Sequence, residues 1–88
     1  MEKRTAKPDY IKPIIDALTK LGTTTEEELL KEIYQTIHDK LYTDDYVVLP
    51  NGEPRWRNQA QNMLDGLIET GAVSKEKGLL KLIENPRP

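Results

Sequence analysis

The chain has no cysteine and one histidine, His38. Without cysteine there is neither a disulfide framework nor a Cys-rich structural zinc site. One histidine makes no metal cluster, and with no nameable nucleophile beside it, no triad. Long apolar runs are missing as well, and none approaches the roughly 20 residues that span a bilayer. Residues 1–7 are charged and lack the apolar stretch of a secretory signal. There is no Gly-rich phosphate loop, no internal repeat and no low-complexity segment. The expectation is a cytoplasmic domain that is not an enzyme, with no cofactor, no metal, no membrane association and no small-molecule substrate.

What is present fits one domain of 88 residues, 36% apolar and 32% charged, a globular rather than a disordered balance. A domain of this size buries a modest share of its surface, so without covalent staples its stability rests on helix packing. The net charge of −2 is unevenly spread. Residues 1–21 hold five basic and three acidic side chains, residues 22–53 two and eight, and residues 54–88 six and four. The acid is concentrated in the middle, and the last third can still face a polyanion.

Three helices and a hairpin are legible. Ile11, Ile14, Ile15 and Leu18 recur at helical spacing, which predicts a helix over residues 9–21 with Asp9 as cap, Pro13 in the first turn or so and Gly22 at the end. Thr25 and Glu28 read as a capping box, and Glu26 and Glu27 suit the positive end of a helix dipole. That second helix is expected to reach Leu41, burying Leu29, Leu30, Ile33, Tyr34, Ile37 and Leu41. Residues 42–54 are a structured loop: Thr43, Asp44 and Asp45 suit a short turn, and Tyr46, Val47, Val48 and Leu49 are apolar enough to pack on the domain. Tyr10, Tyr34, Tyr42 and Tyr46 are most simply core or core-edge residues.

A third helix starts near Pro54 or Arg55, with Pro54 suited to a first helical position. Trp56, Ala60, Met63, Leu64 and Leu67 form its inner face, and it ends at Thr70 and Gly71. Two short strands around a turn of Lys75, Glu76, Lys77 and Gly78 follow, with Leu80 and Leu82 pointing inward. The expected fold is mainly α with a small β part (α+β): a winged helix-turn-helix of three helices and a C-terminal hairpin wing. The boundaries are a flexible basic arm at 1–8, the domain at 9–84 and a tail or linker start at 85–88.

No constellation supports catalysis. His38 reads as a partly exposed surface histidine, and the acidic run Glu26, Glu27 and Glu28 as a solvated helix start. The third helix carries the functional signal. At 100° per residue, Arg55, Asn58, Asn62, Asp65 and Glu69 point away from the core, Arg57 and Gln61 flank it on one side, and Gln59 on the other. Arginine can fork onto guanine, Asn and Gln can pair with adenine, and the positive end of the helix suits phosphate. An ordinary polar helix face has the same composition. Lys75 and Lys77 in the hairpin turn are either wing contacts to phosphate or a solvated turn, and Lys3, Arg4 and Lys7 could add a phosphate-tracking arm.

The segment Trp56-Arg57-Asn58-Gln59 resembles the signature that opens the third helix in the N-terminal winged-helix domain of Mrr-type restriction endonucleases. The resemblance runs from about residue 10 to 83. It includes the early Pro13, the closing Leu67 and Gly71, and the Lys77-Gly78 wing. This chain departs from the pattern at Gln59, Asn62, Ile68, Glu69 and Leu80, which lowers positive charge where DNA would lie. The resemblance implies a DNA-reading module, in restriction systems one that can sense base modification, fused to or associated with a separate nuclease domain. A stand-alone protein is equally allowed. The expected partner is duplex DNA, contacted by Arg55, Arg57, Asn58, Gln59, Gln61, Asn62, Lys75 and Lys77. The alternative is a protein-interaction or dimerisation winged helix, docking through Val47, Val48 and Leu49 if these are exposed.

Overall fold

The computed structural model of the chain describes residues 6–83. The chain enters through a 3₁₀ turn, Lys7–Tyr10, and continues as helix α1, Ile11–Leu21. The expected cap at Asp9 is therefore corrected. The chain is already coiled there, the Ile11 N–H is taken by the Pro8 carbonyl, and α1 has Tyr10 as N-cap with no side-chain cap. Lys7 and Pro8 of the expected arm belong to this turn, whereas residues 1–5, and with them Lys3 and Arg4, lie outside the described residues, as does the tail at 85–88. Pro13 falls at the third position of α1, where no intrahelical N–H is required. At the other end Gly22 adopts φ +75° and donates its N–H to the Leu18 carbonyl at 2.8 Å.

A two-residue strand, β1 (Thr24–Thr25), precedes helix α2, Glu26–Ile37. The Thr25 hydroxyl accepts the Glu28 N–H at 3.2 Å, which satisfies one orphan donor of the first turn. Thr25→Ala is expected to cost about 1 kcal/mol, to be read from the denaturant midpoint. The helix is shorter than the apolar spacing predicts. It gives way to a 3₁₀ turn, His38–Lys40, while Leu41 still packs against the core.

The loop that follows holds itself together by backbone bonds. In a 3₁₀ turn, Thr43–Tyr46, the buried Asp45 carboxylate accepts the Tyr42 N–H at 2.9 Å. Val48 and Pro54 form an isolated antiparallel bridge, with Leu49 N–H on the Glu53 carbonyl and Arg55 N–H on the Val47 carbonyl, both at 2.8 Å. The expected packing of Tyr42, Tyr46, Val47 and Val48 is overturned: they are 45%, 42%, 42% and 65% exposed. The bridge fixes an extended backbone at Val48, and the alternation of such a backbone sends Val48 outward and the half-buried Leu49 inward.

Helix α3, Arg55–Glu69, takes Pro54 as its N-cap, one position earlier than expected. Strands β2 (Val73–Glu76) and β3 (Leu79–Leu82) form the hairpin. Its turn is two residues, Lys77 at φ +53° and Gly78 at φ +80°, the double positive φ of a type I′ turn. The four-residue turn expected from the sequence is corrected accordingly, and Lys75 and Glu76 belong to β2. Leu80 is buried and Leu82 partly so. β3 lies in the middle of a three-stranded antiparallel sheet ordered β1-β3-β2, with Thr24 opposite Leu80 on one side and Lys75 opposite Leu80 on the other.

Tyr10, Ile14 and Leu18 before and within α1, Leu29, Leu30 and Ile33 of α2, Trp56, Ala60 and Leu64 of α3, and Val73 and Leu80 of the hairpin share one core. The arrangement is a mainly helical winged helix-turn-helix with its small sheet at the C-terminal end. Among the described residues no helix is long and apolar enough to cross a membrane.

Candidate nucleic-acid interface

Trp56 sets the rotation of α3. Its indole is 7% exposed and lies against the Tyr34 ring, centroids 5.1 Å apart and tilted 30°. Tyr34 in turn stands 5.5 Å from the His38 ring. With Trp56 turned inward, Arg57 and Gln61 emerge on the side of α3 that meets the start of α2 and the hairpin. The contacts show this: Arg57 reaches Glu27 of α2, and Gln61 reaches Glu26.

The eight sequence-expected residues divide into four sets. Arg57, Gln61 and Lys75 come together around carboxylates. Arg57 is 29% exposed and sits between Glu27, 3.3 Å from its terminal nitrogen, and Glu53, 3.8 Å from its Nε. Glu26 accepts a hydrogen bond from the Gln61 amide through one oxygen and lies 3.9 Å from the Lys75 ammonium through the other. Asn58 and Asn62 form a second pair on the outer face, with the Asn62 amide 3.4 Å from the Asn58 side-chain oxygen and Asn62 exposed. Lys77 is exposed at the hairpin turn.

The remaining two are directed elsewhere. Arg55 donates its Nε–H to the Asp44 carbonyl at 3.2 Å, fastening the start of α3 to the Thr43–Tyr46 turn. Gln59 has its side-chain oxygen enclosed with no hydrogen-bond partner. Neither is grouped with Arg57, Gln61 and Lys75 by any contact described above.

Glu26, Glu27 and Glu53 are the participants that sequence reasoning missed. Glu26 and Glu27 were explained by the dipole of their own helix, which is a sufficient local reason. Their partners lie 30 and 35 residues away, a separation at which no local spacing pattern operates. The helix-turn-helix arrangement itself was the available signal, because it brings the start of the second helix alongside the third.

Among the described residues no three His, Cys, Asp or Glu side chains are grouped to hold a metal. A surface hollow of about 620 Å³ opens between the first 3₁₀ turn, α1 and the end of α2, and none of the eight candidates lines it. Its charged rim includes Lys12 and Asp16, already paired with each other at 3.2 Å.

A second surface lies on the loop, where Tyr42, Tyr46, Val47 and Val48 are all exposed. Hydrogen bonding with Tyr34 and desolvation hold the Tyr46 phenol above the ordinary tyrosine range, and the charge of Asp45 adds to the effect. The Tyr46 hydroxyl donates to the His38 carbonyl at 3.1 Å. Through Tyr34 this loop leans on the same ring that supports Trp56.

Comparisons of the chain with protein-family models, with curated proteins and with solved structures return no match.

Proposed function

We propose that the face formed by α3 and the hairpin docks on duplex DNA, and that the chain is a target-reading module of a restriction-type or related DNA-processing system. The observation that carries the reading is the meeting of Gln61 from α3 and Lys75 from β2 on the two oxygens of Glu26. The donors of the third helix and the cation of the wing thus belong to one continuous surface. In a winged helix-turn-helix that surface is the one able to enter a major groove while the wing tracks the backbone. Arg57, Gln61, Asn58 and Asn62 have the donors to read base edges, and Lys75 and Lys77 suit phosphate. The resemblance to the Mrr-type N-terminal domain points the same way. Chemistry on the DNA is assigned to a separate domain.

The test is a titration of a short labelled duplex with the chain at low salt, read by fluorescence anisotropy. Weak binding is expected, reduced at least several-fold by the pair Arg57→Ala and Lys77→Ala. Absence of binding by the wild-type chain at the lowest salt contradicts the reading.

One observation favours a protein-docking role instead. Four large side chains, Tyr42, Tyr46, Val47 and Val48, stand exposed together on one loop, and clustered apolar exposure is a mark of interaction sites. In that reading Val48→Ser and Tyr46→Ser abolish capture of a partner while duplex binding is absent.

A further inference from the structure

We infer that Glu26 and Glu27 set the strength and selectivity of the α3–hairpin face by occupying the donors that a polyanion must use. The inference rests on the DNA-docking reading and concerns which groups oppose it. Arg57 is the one arginine among the three donors gathered on this face, and its guanidinium is claimed from two directions by Glu27 and Glu53. Gln61 and Lys75 are claimed by the two oxygens of a single side chain, Glu26. A phosphate or base edge arriving at Arg57, Gln61 or Lys75 therefore exchanges for a carboxylate. It also approaches a cluster of like charge while doing so.

These acids are placed by the fold. Thr25 caps α2 through the Glu28 N–H, which fixes the first turn of that helix beside α3 and puts Glu26 and Glu27 at its leading edge. The consequence is selectivity. A bare phosphate backbone gains one contact at the loss of another, so sequence-independent binding is suppressed. A duplex that also satisfies Asn58 and Asn62, whose side chains touch each other at 3.4 Å, recovers the difference.

The experiment compares three full-length chains on the same short labelled duplex at low salt: the wild type, the double variant Glu26→Gln and Glu27→Gln, and the double variant Asp16→Asn and Glu32→Gln. The last pair removes the same charge from α1 and from the part of α2 where Glu32 pairs with Lys20. Glutamine keeps the hydrogen-bonding shape at both positions, the Thr25 cap is untouched, and circular dichroism verifies folding of each variant. The Glu26/Glu27 variant is expected to bind about tenfold more tightly, from removal of two like charges within contact distance of the incoming phosphates, and the control less than about threefold, its sites being screened by distance. Equal gains in both variants would show a net-charge effect and overturn the inference while leaving DNA docking intact. Wild-type binding unchanged by Glu26→Gln and Glu27→Gln overturns it as well. Absence of binding by all three chains removes the docking reading itself.

Discussion

Trp56→Ala is expected to destabilise the domain by about 3–5 kcal/mol. The indole is 7% exposed and joins α3 to α2 through the Tyr34 ring at 5.1 Å. Truncation leaves a cavity at the point where two of the three helices meet. A domain this small has total stability of about 5–15 kcal/mol, so the variant sits near the unfolding threshold. At about 4–8 °C per kcal/mol, the thermal midpoint drops by at least about 12 °C, measured by far-ultraviolet circular dichroism. Tyr46→Ala, by contrast, removes a side chain that is 42% exposed and is expected to cost little beyond its hydroxyl contacts with the His38 carbonyl and with Tyr34. Comparable losses in the two variants would mean that the helix is not anchored by its tryptophan.

The second large effect is in salt. The α3–hairpin face offers Arg57, Lys75 and Lys77 as cations, Arg55 being turned to the Asp44 carbonyl. If all three neutralise phosphates, log K falls with log salt at a slope of about −2.7, and affinity drops roughly 40-fold between 50 and 200 mM. Carboxylates at Arg57 and Lys75 make the true slope shallower, because part of each charge is already compensated before DNA arrives. Arg57→Ala removes close to one unit of slope if its guanidinium contacts phosphate, and relaxes base preference instead if it reads a base edge. Duplex affinity that ignores salt, or that survives Arg57→Ala and Lys77→Ala unchanged, contradicts docking through this face.

What could be read in the sequence was decided by local chemistry. The Thr25 cap, the inward turn of Trp56 and the end of α1 at Gly22 depend on residues within one or two turns, and spacing alone reveals them. The outward surface of α3 was legible for the same reason: Asn58 and Asn62 lie one turn apart, and helical geometry places them together. The strand at Thr24 and Thr25 was not, since two residues show no alternation and their pairing partner is Leu79–Leu82, far along the chain. Val47 and Val48 misled because apolarity states a preference for burial and not the availability of room. A backbone bridge between Val48 and Pro54 fixed the direction of Val48 first. Glu26 shows the same limit at the candidate site. Its sequence neighbours account for it fully as a helix-start acid, and only the packing of α2 beside α3 makes it a partner of Gln61 and Lys75.

The most direct measurement is a residue-by-residue map of backbone and side-chain amide shifts in the isotope-labelled chain as a short duplex is added at low salt. DNA docking through the third helix and wing predicts the largest changes at Asn58, Asn62, Gln61 and Lys77, with Val47 and Val48 unmoved. Changes confined to residues 42–48, or none anywhere, would contradict it.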